Sequence, residues 1–139
     1  MPPRIENCST SQFEQVKTLI QEYELDDRVL KQEEFLVINS SEGLLGFGRV
    51  RELEGFSEMC SLGILTHKRS KGLGKMLTEA IIQKAKQPIY LVCIIPEYFS
   101  EFGFKLCSQY PAQMQDKLNY CTESLVVPEP YVVMAWDKH

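Results

Sequence analysis

Between residues 35 and 95 the apolar residues change their period twice, and this limits the folds open to the chain more than any other feature. Residues 35–39, 44–51 and 57–66 read as strands, separated by the turn sequences Ser40-Ser41-Glu42-Gly43 and Glu52-Leu53-Glu54-Gly55. From residue 73 to 86 the apolar residues Met76, Leu77, Ala80, Ile81 and Ala85 instead recur on one face of a helix. Pro88 stops that helix, and residues 89–95, seven apolar residues in succession, return to a strand buried on both faces. Three strands joined by short turns make an antiparallel meander, and the strand–helix–strand that follows adds a parallel pair. The expected fold is α/β with a mixed sheet.

The flanks are less sharply written. Residues 4–7 suit a short strand. Ser11-Gln12-Phe13-Glu14 fits a capping box, and Phe13, Val16, Leu19, Ile20 and Tyr23 follow at helical spacing, which predicts a helix over residues 11–23. Residues 22–34 read as a loop and a short second helix. Pro96 opens a short helix that ends near Gly103, residues 105–130 with their three prolines read as irregular, and residues 131–136 close as a strand. With no repeat, low-complexity tract or linker, 139 residues suffice for one core, so one domain over residues 1–139 is expected.

Composition excludes several classes of function. The seven-residue apolar run falls well short of the roughly 20 needed to span a bilayer, and Met-Pro-Pro-Arg-Ile-Glu-Asn has no apolar stretch to act as a secretory leader. The five cysteines include no Cys-x-x-Cys pair and only two histidines accompany them, so no metal site is expected. The thiols read as reduced core residues of a cytoplasmic protein, Cys60, Cys93 and Cys121 among them. A net charge of −4 argues against nucleic acid as a partner. Yet Lys68, Arg69, Lys71 and Lys75 put four positive charges into eight residues without an acid, while the other 131 residues carry −8.

That basic cluster sits between the predicted strand 57–66 and the helix after it, and it contains Gly72 and Gly74. A helix start offers backbone N–H groups and the positive end of its dipole to an anion, and glycine lets the backbone approach a pyrophosphate closely. Arg69, Lys71 and Lys75 add charge-assisted hydrogen bonds. A Rossmann fingerprint would need glycine at position 77, where Leu77 stands. A Walker A loop would need glycine at 69 and a hydroxyl residue after Lys75, where Arg69 and Met76 stand. The alternative is an ordinary basic helix start, and Gly46-Phe47-Gly48 is a second glycine pair of the same form.

Arg69-Ser70-Lys71-Gly72-Leu73-Gly74 resembles the Arg/Gln-x-x-Gly-x-Gly/Ala signature of the GNAT superfamily of N-acetyltransferases. Pro96-Glu97-Tyr98-Phe99-Ser100-Glu101-Phe102-Gly103-Phe104 is similar to that family's helix-end motif, and the likeness runs over residues 35–105. It implies that Arg69, Ser70, Lys71, Gly72, Leu73, Gly74 and Lys75 grip the pyrophosphate of acetyl-CoA. It implies too that Leu62, Gly63 and Ile64 pair with the pantetheine, and that strands 57–66 and 89–95 splay around the thioester, whose carbonyl then lies near main-chain N–H groups. Ile89-Tyr90-Leu91-Val92 and Tyr110-Pro111 are weakly similar to the subgroup resembling N-acetylglutamate synthase, which also carries phenylalanine at the place of Phe99.

The implied activity is transfer of an acetyl group to a primary amine by direct attack on the thioester. Glu58 is the candidate base for the ammonium proton, against a solvated strand-end glutamate. Tyr98 is the candidate acid, because Phe99 occupies the position where the family usually has tyrosine. His67 reads as a surface residue. The six acids from Glu22 to Glu34 lie in the region that borders the acceptor pocket in this family, though a solvated face explains them as well. The expected partner is a small-molecule amine, with neither nucleic acid nor membrane, and a homodimer is left open. The rival reading is a GNAT-fold module that binds acyl-CoA without turning it over.

Overall fold

The computed structural model describes residues 3–65, 72–124 and 129–137. Among these residues seven strands form one mixed sheet in the order β1-β2-β3-β4-β5-β7-β6. The chain divides into two compact units, Met1–Arg51 with Met59–Lys84, and Glu52–Glu58 with Ala85–His139.

In the first unit β1 (Arg4–Asn7) pairs antiparallel with β2 (Phe35–Ser40), and β2 pairs antiparallel with β3 (Gly43–Leu53). Helix α1 (Thr10–Glu22) seals one face: Val16 and Ile20 pack with Cys8, Phe35, Val37, Leu44 and Phe47. The helix starts earlier than the sequence predicts. Its cap is Ser9, whose hydroxyl accepts from Gln12 N while the Gln12 side chain returns to the Ser9 backbone. Ser9-x-x-Gln12 and Ser11-x-x-Glu14 both fit the capping pattern. What selects the first is the buried Cys8, whose N–H donates to Phe35 O and brings the chain onto the sheet one residue before Ser9. Residues 32–34 form one 3-10 turn, not a second helix of length. Beyond it come β4 (Phe56–Ile64), which begins in the other unit, and α2 (Leu73–Lys84). The second glycine pair proves to be packing. A Cβ on Gly48 would meet Ile81 and Leu62 at 2.6 and 2.8 Å, and one on Gly46 would meet Ile64 at 2.7 Å.

In the second unit Ser57 and Glu58, near the start of β4, pair in parallel with Ile89 and Tyr90 of β5 (Ile89–Cys93). β7 (Val132–Trp136) pairs antiparallel with β5 and also with β6 (Lys105–Leu106), which makes the sheet mixed as expected. β5 alternates, with Ile89, Leu91 and Cys93 buried and Tyr90 and Val92 half-buried, so it is not a strand buried equally on both faces. After α3 (Pro96–Ser100) the chain is more regular than predicted: α4 (Ala112–Ser124) lies within the stretch read as irregular and packs on β5 and β7. Its buried positions, Met114, Lys117 and Cys121, have helical spacing, but a lysine and a thiol in that stripe hide the apolar pattern. No described helix is long and apolar enough to cross a membrane.

Candidate functional site

The strand–turn–helix centred on Gly72 is partly visible. Arg69, Ser70 and Lys71, together with His67 and Lys68, lie outside the described residues. Gly72 has φ +75°, and among the described residues nothing lies within 4 Å of where its Cβ would be. An L-residue resists that conformation, so glycine is required by the turn. Among the described residues the first bond of this helix runs from Met76 N to Gly72 O at 3.2 Å, and in a helix beginning at Leu73 the N–H groups of Leu73, Gly74 and Lys75 come ahead of the i to i−4 ladder. Thr78 Oγ1 donates back to Gly74 O at 2.8 Å, which fixes the first turn. Leu73 is buried and contributes main chain only, whereas Lys75 is exposed. This is the donor set that an anionic phosphate ester fits.

Upstream, Leu62 and Ile64 are half-buried and flank Gly63, which is covered by the Phe47 ring. Just before them Ser61 has φ +51°, a left-handed residue inside a strand that breaks the regular pleat. Its hydroxyl donates to Asp26 O at 2.6 Å, so the loop after α1 is tied to β4 immediately ahead of Leu62.

Glu58 is not at a solvated strand end. Only 1% of its side chain is exposed, and its Oε2 lies 2.9 Å from Nζ of Lys117 on α4, itself 3% exposed. Periodicity offers no sign of this partner, because Lys117 falls in the stretch read as irregular. Tyr98 is half-buried on α3, its ring 5.0 Å from that of Phe99 and 5.2 Å from that of Phe102, edge-on to both. Phe99 is buried against Phe104. At the end of this motif Gly103 has φ +102°, and the Trp136 indole N–H beside it donates to Phe102 O at 2.9 Å. Cys93 is a core thiol, its pKa pushed up to about 11 by burial, so it is no nucleophile at neutral pH.

The acidic stretch after α1 is part solvated and part structural. Glu22, Glu24, Asp27 and Glu33 are exposed. Asp26 is buried, accepting from Arg28 N at 3.0 Å and from Arg28 Nε and Nη2 at 3.0 and 2.8 Å. Glu34 accepts from Nε of Arg49 at 2.9 Å, and Arg49 has no exposed surface at all. The sequence offered no hint of Arg49 either, since it lies in the apolar run of β3.

No curated protein matches the chain by sequence. Among solved structures, N-acetylglutamate synthase from Neisseria gonorrhoeae, complexed with coenzyme A and N-acetyl-glutamate, is similar at TM-score 0.80 and 16% identity over 100% of this chain. The chain spans only 36% of that protein's length. A Mycobacterium tuberculosis protein in complex with CoA matches at TM-score 0.79 and 14% identity, over 98% of this chain and 99% of that one. An Arabidopsis thaliana protein in complex with the bisubstrate analogue CoA-Ac-MVNAL matches at TM-score 0.69 and 15% identity, over 99% and 100% of the two chains. These likenesses concern the fold. The family model for the acetyltransferase (GNAT) family matches residues 3–104, and the chain belongs to that family.

Proposed function

We propose that the protein is an N-acetyltransferase that carries the acetyl group of acetyl-CoA to a primary amine. The observation that supports it most is the turn at Gly72: a left-handed glycine with no described residue in front of it, followed by a helix whose first N–H groups come ahead of its hydrogen-bond ladder. Those donors suit a pyrophosphate, with Lys75 and the basic residues Arg69 and Lys71 supplying charge. Leu62, Gly63 and Ile64, directly upstream, suit the pantetheine. In this reading the amine nitrogen attacks the thioester carbonyl, the C–S bond breaks, and the thiolate leaves and takes up a proton.

An amine must lose its proton before it attacks, and Glu58 is the proposed acceptor of that proton through water. Its Oε2 lies 2.9 Å from Nζ of Lys117. Tyr98 is the proposed donor to the thiolate. An alkyl thiol leaves readily enough, with a pKa of about 8.5, that this step asks little of the protein, and orientation supplies much of the rest. One observation favours the second reading, a module that binds acyl-CoA without turnover: Phe99, buried against Phe104, has no proton to give.

Calorimetry with acetyl-CoA, followed by free-thiol release in the presence of L-glutamate, L-glutamine or the peptide Met-Val-Asn-Ala-Leu, tests both readings. The expected outcome is saturable binding in the wild type, no binding in Gly72→Trp although that variant still unfolds cooperatively, its midpoint lowered by the strained φ, and thiol release with an amine. Equal affinity in Gly72→Trp would refute the assignment of the turn. Binding without thiol release from any amine would favour the non-catalytic module.

A further inference from the structure

β1 stands first in the sheet order, so among the described residues only its edge toward β2 carries a strand partner. The other edge offers its backbone to whatever can pair with it. In an antiparallel ladder, residues that bond toward the partner strand alternate with residues that bond away from it. Cys8 N donates to Phe35 O, so Glu6 and Arg4, in step with Cys8, bond toward β2. Ile5 and Asn7 therefore direct their N–H and C=O groups to the free edge.

Edge strands commonly discourage pairing with charge or with proline, and β1 carries both. Pro3 precedes it, and Arg4 and Glu6 share one face, with side chains 44% and 43% exposed. Asn39 Nδ2 donates to Glu6 Oε1 at 2.8 Å and holds that carboxyl below its usual range, so both charges are present at neutral pH. Because the two signs are opposite and two residues apart, they suit one partner: a second copy of β1, run antiparallel, sets Glu6 opposite Arg4 and Arg4 opposite Glu6. In that register Ile5 meets Ile5 of the second copy across a two-fold axis and exchanges both N–H···O bonds with it. Asn7 N–H donates to Pro3 O of the second copy, and the only bond missing is the one that proline cannot make. Sliding one copy by two residues, the smallest step that keeps the outward groups opposed, sets Arg4 on Arg4 or Glu6 on Glu6. We propose that β1 is a self-recognition edge, along which residues 3–7 of two copies of the chain pair antiparallel so that the sheet continues across the two-fold axis. So short an edge buries too little surface for an obligate dimer, and the association depends on concentration and weakens with salt.

Sedimentation velocity from about 1 μM to about 1 mM tests this on the wild type, Arg4→Glu, Glu6→Arg, the double variant with both changes, and an equal mixture of the two single variants. Either single change makes both cross-strand pairs repulsive, and the dissociation constant is expected to rise about tenfold or more. The double variant restores both pairs with their signs exchanged and associates as the wild type does. In the mixture the two acids of Arg4→Glu meet the two bases of Glu6→Arg, so a heterodimer forms from chains that associate poorly alone, which a misfolded variant could not do. Asn7→Pro removes an outward N–H without touching the bonds to β2 and is expected to weaken association as well. A wild type still monomeric at about 1 mM overturns the proposal. So does a dimer that the single charge reversals leave unchanged, or a mixture that forms no heterodimer.

Discussion

Glu58 and Lys117 face each other at 2.9 Å with almost no access to water, and such a pair costs more to break than to replace. Removing one partner takes from the other, still buried, its close counter-charge. We therefore expect Lys117→Met to lower stability by about 3 to 5 kcal/mol, and Glu58→Gln combined with Lys117→Met to recover most of that loss. Urea denaturation of the two single variants and the double variant measures it, and simple additivity would deny the coupling. Neither the burial nor the partner could be read from the sequence. An acid in a strand followed 59 residues later by a lysine is a pattern that many chains contain by accident.

Among the elements, β4 carries the most constraints. Its Gly63 lies under the Phe47 ring, and a Cβ there would come within 2.7 Å of a ring atom that has no free space to retreat into. Gly63→Ala is expected to cost about 1 to 3 kcal/mol, read from a chemical-denaturation midpoint; a neutral result would mean that Phe47 shifts freely. β2, β3, β4, β5 and β7 and helices α1, α2 and α3 were all legible within a few residues, because period and punctuation are local properties. The cap of α1 was misread by two residues since two serines offer the same local chemistry, and only the docking of Cys8 on Phe35 chooses between them. α4 escaped notice because its inward stripe includes Lys117, which is tolerated there through its partner on another element.

On the scale of the whole molecule, the shifted thiols and phenols among the described residues move the same way. Burial raises Cys8, Cys93, Cys107, Tyr90 and Tyr131, Cys93 from 9.0 to about 11. Between those two values the folded chain keeps a proton on Cys93 that the unfolded chain releases, so stability is full below about pH 9 and falls as pH rises. Urea midpoints should decline from about pH 8 to about pH 10.5, with a shallower slope in Cys93→Ala; a flat profile would contradict the burial of these groups.

What the sequence determined by itself was the order of strands and helices from β1 to α3, the closing strand β7 and the glycine ahead of α2, since these depend on residues next to one another in the chain. What only tertiary structure decided was which charges are buried and whom they face: Arg49 beneath the Val29 carbonyl and Lys117 against Glu58. The cost of burying a charge is set by partners that the fold brings from distant segments, and periodicity carries no record of them.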